Sequence, residues 1–151
     1  GQVIYDVHAM GNPFLWWFGV IAIVLLLIML GWQAVNFLVK KKRFTTTPTL
    51  SVDTWIALYL VLNYAANLLP WVGVTRCLFI YHYMTAVVFA FMAIAWFVDQ
   101  CLGSYYKLLR AVGVTITFMI LTAFVFWLPL YLALPLSPHG YKLRMWFSSW
   151  I

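Results

Sequence analysis

The 151-residue chain is 66% apolar and 20% aromatic but only 8% charged, against roughly 45–50% apolar and about 25% charged in an average globular domain. Nine basic and three acidic residues are too few to solvate the surface of a soluble fold of this size, and the aromatic content excludes a disordered chain. The composition is that of a polytopic membrane protein, so the net charge of +6 is read first as a topology signal.

In chain order, a leader of residues 1–13 carries Asp6, His8 and the turn Gly11–Asn12–Pro13. It opens with Gly1 rather than Met, so a processed product or a piece of a longer polypeptide is expected. From Phe14 to Val39 the sequence is apolar and uncharged, and a bilayer needs about 20 such residues. Lys40, Lys41, Lys42 and Arg43 follow directly. A basic block beside an apolar run marks the cytoplasmic side and can meet anionic headgroups; it is not a nucleic-acid footprint. Further apolar runs are predicted from Val52 to Leu69, Leu78 to Phe97 and Val112 to Leu134. In lipid the backbone must satisfy itself, so each is a helix. Between the second and third lies a turn, Pro70 to Thr75, with Pro70 closing the helix and Gly73 allowing the bend. A polar loop is predicted over Asp99 to Arg110, and an amphipathic tail over Pro135 to Ile151.

The expected fold is therefore all-α: an outer leader (1–13), a unit of four transmembrane helices (14–134) and an outer tail (135–151). Four crossings return both termini to one side. Six basic residues, Lys40–Arg43, Lys107 and Arg110, stand against Arg76, Lys142 and Arg144 opposite. The first side is predicted cytoplasmic and both termini non-cytoplasmic. Trp16, Trp17, Trp71, Trp146 and Trp150 then form an outer aromatic belt. Cys77 and Cys101 flank the third helix, about 36 Å apart at about 1.5 Å per residue, too far for the roughly 5.5 Å of a disulfide.

Polar residues inside the helices narrow the function. Trp55, Tyr59, Asn63 and Asn67 recur every fourth residue and share one face. Amides are expensive against lipid, so this face is predicted to look inward. It would either form hydrogen bonds between helices, about 0.6 kcal/mol each on average, or line a lipid-substrate groove. Arg76, His82 and Tyr83 gather at the start of the third helix. They read either as an interfacial anchor beside a packed histidine or as a phosphate site, the guanidinium fork completed by imidazole and phenol. His82 as an axial ligand of a haem-type pigment is a further reading, without a paired histidine; His8 and His139 lie in the outer segments. No Cys/His cluster has metal-ligand spacing. No Asp or Glu lies inside a helix, which argues against a proton or cation pathway. No nucleophile–base pair, P-loop or dinucleotide motif is present, so no catalytic residue is assigned within the chain.

Four motifs, Gly11–Trp17 (GNPFLWW), Asn67–Trp71 (NLLPW), Arg76–Ala86 (RCLFIYHYMTA) and Tyr141–Ile151 (YKLRMWFSSWI), in this order resemble the C-terminal four-helix region of protein O-mannosyltransferases. Thr85 stands where that family often has proline, which leaves the third helix less kinked there. The resemblance implies a multi-spanning fold that transfers mannose from a polyprenyl-phosphate carrier to Ser or Thr hydroxyls on the outer side, with inversion. The family's catalytic acidic pair lies in its N-terminal half and has no counterpart here; Asp6 is a lone acid. The resemblance thus assigns Arg76, His82 and Tyr83 to the carrier phosphate, and Asn12, Asn63, Asn67 and Trp71 to the outer mouth or groove. It implies polyprenyl-phosphate mannose as donor substrate, no cofactor or metal in the chain, and as partners membrane lipids, the carrier and a catalytic N-terminal half or partner chain. A bacterial plasma membrane is expected in preference to the endoplasmic reticulum. The alternative is a non-catalytic integral membrane subunit packing in a larger complex.

Overall fold

The computed structural model of the chain describes residues 3–7, 11–41, 51–75 and 80–147, side chains at 40, 41, 80 and 81 excepted. Among them are five helices: α1 (Pro13–Lys41), α2 (Val52–Val72), α3 (Ile80–Leu102), α4 (Lys107–Tyr131) and the short α5 (Pro138–Arg144). The first four contain spans long and apolar enough to cross a membrane. At about 1.5 Å per residue, the 29 residues of α1 exceed the roughly 30 Å of bilayer hydrocarbon.

The helix starts are chemically specified. Asn12 precedes Pro13, the first residue of α1, and its Oδ1 accepts from the backbone N–H groups of Phe14 and Leu15 at 3.1 and 3.3 Å. Proline is pre-set for that first position, where an N–H would lack a helical partner. Ser51 caps α2 by accepting from the Thr54 N–H at 3.3 Å, and Ser137 caps α5 through the Gly140 N–H at 3.1 Å.

Boundaries differ from those predicted at the end of α2, on both sides of the α3–α4 link, and at the end of α4, which stops at Tyr131 rather than Leu134. Pro70 does not close α2; the helix runs through it to Val72. A proline removes one i−4 bond, a loss the last turn tolerates because its neighbours are already losing partners there. The link between α3 and α4 is also far shorter than Asp99 to Arg110. Residues 99–102 complete α3 and 107–110 begin α4, because long basic side chains at a helix end reach the interface without unwinding the backbone.

α3 is the central helix, packing against α1, α2 and α4. Ala86, Ala90 and Ala93 on it are fully buried, and Ala90 and Ala93 pack with Ala22 and Leu26 of α1 and Ala57 and Leu60 of α2. In lipid there is little hydrophobic gain between helices, so close backbone approach supplies the packing. Gly19 shows the tightness: a Cβ there would stand 3.2 Å from that of Ala90.

A second cluster, Ala123, Trp127 and Leu130, is closed by Phe14, Tyr141 and Met145. It forms because the tail folds back on α4. The indole N–H of Trp127, 1% exposed, donates to the Arg144 carbonyl at 3.0 Å. Arg144 Nε donates to the Phe126 carbonyl at 2.7 Å. The N-terminal segment joins this end: Ile4 and Leu136 form an antiparallel bridge, and the Tyr141 hydroxyl donates to Asp6 Oδ2 at 2.8 Å. The two terminal segments thus share one end of the bundle, called here the terminal end. Neither the bridge nor α5 was predicted. At the opposite end, Thr54 donates to Gln33 Oε1 at 2.7 Å and lies 2.8 Å from the Ser51 hydroxyl, so a polar knot ties α1 to α2.

Candidate functional site

Of the residues singled out by sequence, Asn12, Trp71, His82 and Tyr83 lie toward the terminal end of α1, α2 and α3, and direct contact joins Trp71 with His82. The Gly11–Asn12–Pro13 turn is built for close approach. A Cβ on Gly11 would overlap the Trp16 indole. Besides capping α1, Asn12 donates from Nδ2 to the Ile120 carbonyl at 2.8 Å, which fastens the turn to α4. All of the asparagine's described bonds go to backbone, so Asn12 shapes the mouth rather than offering a free amide to it.

Tyr83 lies inside the bundle. Its ring is 5.3 Å from that of Trp16, and its hydroxyl is 2.8 Å from the Tyr64 hydroxyl. Tyr64 follows from the buried face of α2, at helical spacing from Ala57 and Leu60. The sequence reading did not single it out. One member of a phenol pair donates to the other, so one O–H is left without an acceptor among the described residues, and accepting a bond strengthens it as a donor.

His82, one residue earlier, faces a different neighbour. Its ring meets the edge of Trp71 at 4.4 Å between centroids. Trp71 comes from the last turn of α2, which exists because the helix continues past Pro70. Arg76 lies outside the described residues, and its geometry relative to His82 and Tyr83 with it. Among the described residues, no group of three or more His, Cys, Asp or Glu converges on a point.

The predicted stripe of α2 looks inward only in part, for Asn63 and Asn67 are half-buried. Trp55 and Tyr59 are 58% and 54% exposed, while the core face of α2 is Thr54, Ala57 and Leu60. The amides escape the expected penalty by bonding within their own helix. Asn63 Nδ2 donates to the Tyr59 carbonyl and Asn67 Nδ2 to the Asn63 carbonyl, both at 2.8 Å. Neither forms a bond between helices among the described residues. Trp55 and Tyr59 instead wall a lateral groove between α2 and α3. Its inner part, of about 550 Å³, is lined by Val52, Trp55, Ile56, Tyr59, Leu60, Met92 and Trp96. Tyr59 touches Phe89 across it at 6.1 Å. Asn63 and Asn67 lie one and two turns further along α2, each step of four residues turning about 40° around the axis, so Trp71 stands about 160° round from Trp55. The groove and the Trp71–His82 contact are thus two separate features of the same helix pair, about 24 Å apart along α2 at about 1.5 Å per residue.

A family model described as the C-terminal four-transmembrane region of protein O-mannosyltransferase matches residues 2–150. No curated protein matches the sequence. Among solved structures, the chain is similar to the S. cerevisiae protein O-mannosyltransferase Pmt1-Pmt2 complex bound to the sugar donor, with a TM-score of 0.70 and 19% identity. The match covers 97% of this chain and 20% of that one. At such identity the likeness is one of fold, and this chain spans about a fifth of that relative's length.

Proposed function

This chain belongs to the family of C-terminal four-transmembrane regions of protein O-mannosyltransferases, and from that premise we propose that it forms the lipid-carrier side of a protein O-mannosyltransferase. The donor is polyprenyl-phosphate mannose. Its phosphate sits at the terminal end against Arg76, His82 and Tyr83, and its prenyl chain lies in the groove between α2 and α3. Asn63, Asn67 and Trp71 shape the upper part of that groove, and Asn12 holds the turn at its mouth. The terminal end faces the non-cytoplasmic side in this reading, which the excess of basic residues at the opposite end supports. A bacterial plasma membrane is the preferred location. The base that activates the acceptor hydroxyl comes from outside these 151 residues, from an N-terminal half or a partner chain.

The observation that carries the reading is that one helix pair holds both kinds of chemistry. An aromatic, lipid-accessible groove lined by Trp55, Tyr59 and Trp96 lies between α2 and α3, whose terminal ends carry the Trp71–His82 contact and the phenol pair. Apolar chain and phosphate each meet suitable chemistry in the order a polyprenyl phosphate presents them. A departing phosphate carries developing charge, and hydrogen-bond donors fixed beside it lower the barrier.

The test is Arg76→Ala in the whole enzyme, with donor binding and mannosyl transfer both measured. Loss of a charged hydrogen bond, about 1.5–3 kcal/mol, should weaken donor binding at least tenfold. Arg76→Lys should recover part of it, since an ammonium keeps the charge but loses the fork. Unchanged binding and transfer in Arg76→Ala would remove the phosphate assignment.

A further inference from the structure

A second groove lies along α4, on a different face from the groove just described. Phe14, Phe118, Met119, Thr122, Phe126 and Trp146 wall a cavity of about 500 Å³, almost wholly apolar. Arg144 stands at its terminal end, with the guanidinium 4.8 Å over the Phe126 ring. Of a guanidinium's five N–H groups, one donates to the Phe126 carbonyl and one to the Gly140 carbonyl, at 2.7 and 2.8 Å. Both partners are neutral, and no carboxylate pairs with Arg144 among the described residues. Lys142, on the same short helix, adds a second positive charge. A half-buried cation beside an apolar groove, with no counter-ion among the described residues, suits an anion from the solvent or the bilayer.

We propose that this groove is a binding site for one anionic phospholipid, with an acyl chain along α4 and the phosphate on the free edge of Arg144. Charge complementarity selects this occupant. A transmembrane helix seated in the groove would cover the apolar wall but bring no anion to the guanidinium. A zwitterionic lipid would bring a phosphate with its own ammonium attached, and leave Lys142 unanswered. The remaining N–H groups of Arg144 offer a planar fork to phosphate oxygens. The lipid would also hold α5 against α4, since Arg144 and Trp146 both belong to the segment that folds back. This site uses no residue of the proposed donor site, so it stands or falls independently of that assignment.

The experiment takes the whole protein from its membrane into nanodiscs, then counts retained lipid by native mass spectrometry after delipidation. One phosphatidylglycerol should be retained per chain, and no phosphatidylcholine. Arg144→Gln should weaken phosphatidylglycerol binding at least tenfold. Because that substitution also removes bonds between α5 and α4, Thr122→Trp provides the second arm: it fills the groove from its lipid-facing wall, leaves Arg144 in place, and should weaken binding by a similar factor. Equal retention in Thr122→Trp and wild type would overturn the proposal. So would equal retention of phosphatidylcholine. Displacement of phosphatidylglycerol by an equimolar polyprenyl phosphate would overturn it in favour of the carrier.

Discussion

Replacing Tyr83 by phenylalanine separates a phosphate-binding role from a packing role, because the phenol pair makes opposite demands on the two. The Tyr64 and Tyr83 hydroxyls are 2.8 Å apart and partly buried. Tyr83→Phe leaves Tyr64 without its partner, and a typical net loss of about 0.5–1.5 kcal/mol in stability follows. Tyr64→Phe costs the same by symmetry. Replacing both removes donor and acceptor together and leaves an apolar contact of the same shape, which is close to neutral. The double variant should therefore unfold nearly like wild type, with the two single losses cancelling rather than adding.

Donor binding should behave otherwise. If the spare O–H of Tyr83 meets the carrier phosphate, its removal forfeits a bond to a charged group, about 1.5–3 kcal/mol. At 1.4 kcal/mol per decade, that is roughly a 10- to 150-fold rise in donor Kd. Tyr64→Phe removes only the supporting bond and should cost about fivefold, near 1 kcal/mol. The double variant should bind donor as poorly as Tyr83→Phe while being as stable as wild type. Unfolding in detergent by denaturant, together with equilibrium binding of polyprenyl-phosphate mannose to the whole enzyme, gives both axes. Recovery of donor binding alongside stability in the double variant would refute the phosphate contact and leave the pair a packing device.

Three further outcomes are expected. Trp127→Phe keeps most of the buried ring but strands the Arg144 carbonyl that its indole serves at 3.0 Å; it should cost about 1–3 kcal/mol and, in hydrogen exchange, loosen α5 before α1 to α3. Ala133 lies just beyond α4 with φ of 50°, a left-handed position that costs a residue with a Cβ roughly 1–2 kcal/mol; Ala133→Gly should raise stability by up to about 1 kcal/mol in the same unfolding assay, the gain reduced by the glycine's freer unfolded chain. The Asp6 carboxylate that accepts from Tyr141 holds this phenol above its usual 10.0, with burial and the carboxylate's charge adding to the effect. A raised folded-state pKa means the contribution is whole below pH about 10 and disappears as pH rises through the folded value. Limited proteolysis of residues 3–7 should accordingly accelerate in strong alkali, and Tyr141→Phe should open that segment to protease at neutral pH.

How far the sequence reaches depends on how local the governing physics is. The four spans were legible because lipid leaves no alternative to a helix over a long apolar run, and α1 was predicted within a residue or two as Phe14 to Val39 against the observed Pro13–Lys41. The family motifs Gly11–Trp17 and Arg76–Ala86 were legible as well, and the family match over residues 2–150 agrees with them. Ends governed by single residues were harder. Pro70 reads as a stop in sequence, but its cost depends on whether the bonds around it are already being lost, which only the position in the last turn decides. The bridge from Ile4 to Leu136 and the hold of Tyr141 on Asp6 join residues more than 130 positions apart, and no periodicity announces such a pairing.

The stripe on α2 shows why the candidate site was only half legible. Spacing sets Trp55, Tyr59, Asn63 and Asn67 one turn apart along α2, and the cost of an amide in lipid then turns that row inward. The inference fails at its second step, because an asparagine in a helix can satisfy an N–H on the carbonyl four residues back, as Asn63 and Asn67 both do. Such an amide needs no neighbouring helix and can face outward at little expense. The inward place goes instead to Ala57 and Leu60, with Tyr64 in the next turn, where small side chains let α3 approach and one phenol meets another. Trp55 and Tyr59 thereby become the wall of an open groove rather than part of a seam between helices. That exchange bears on the mannosyltransferase reading, since a carrier lipid must enter sideways from the bilayer, and only an outward-facing wall leaves it a way in.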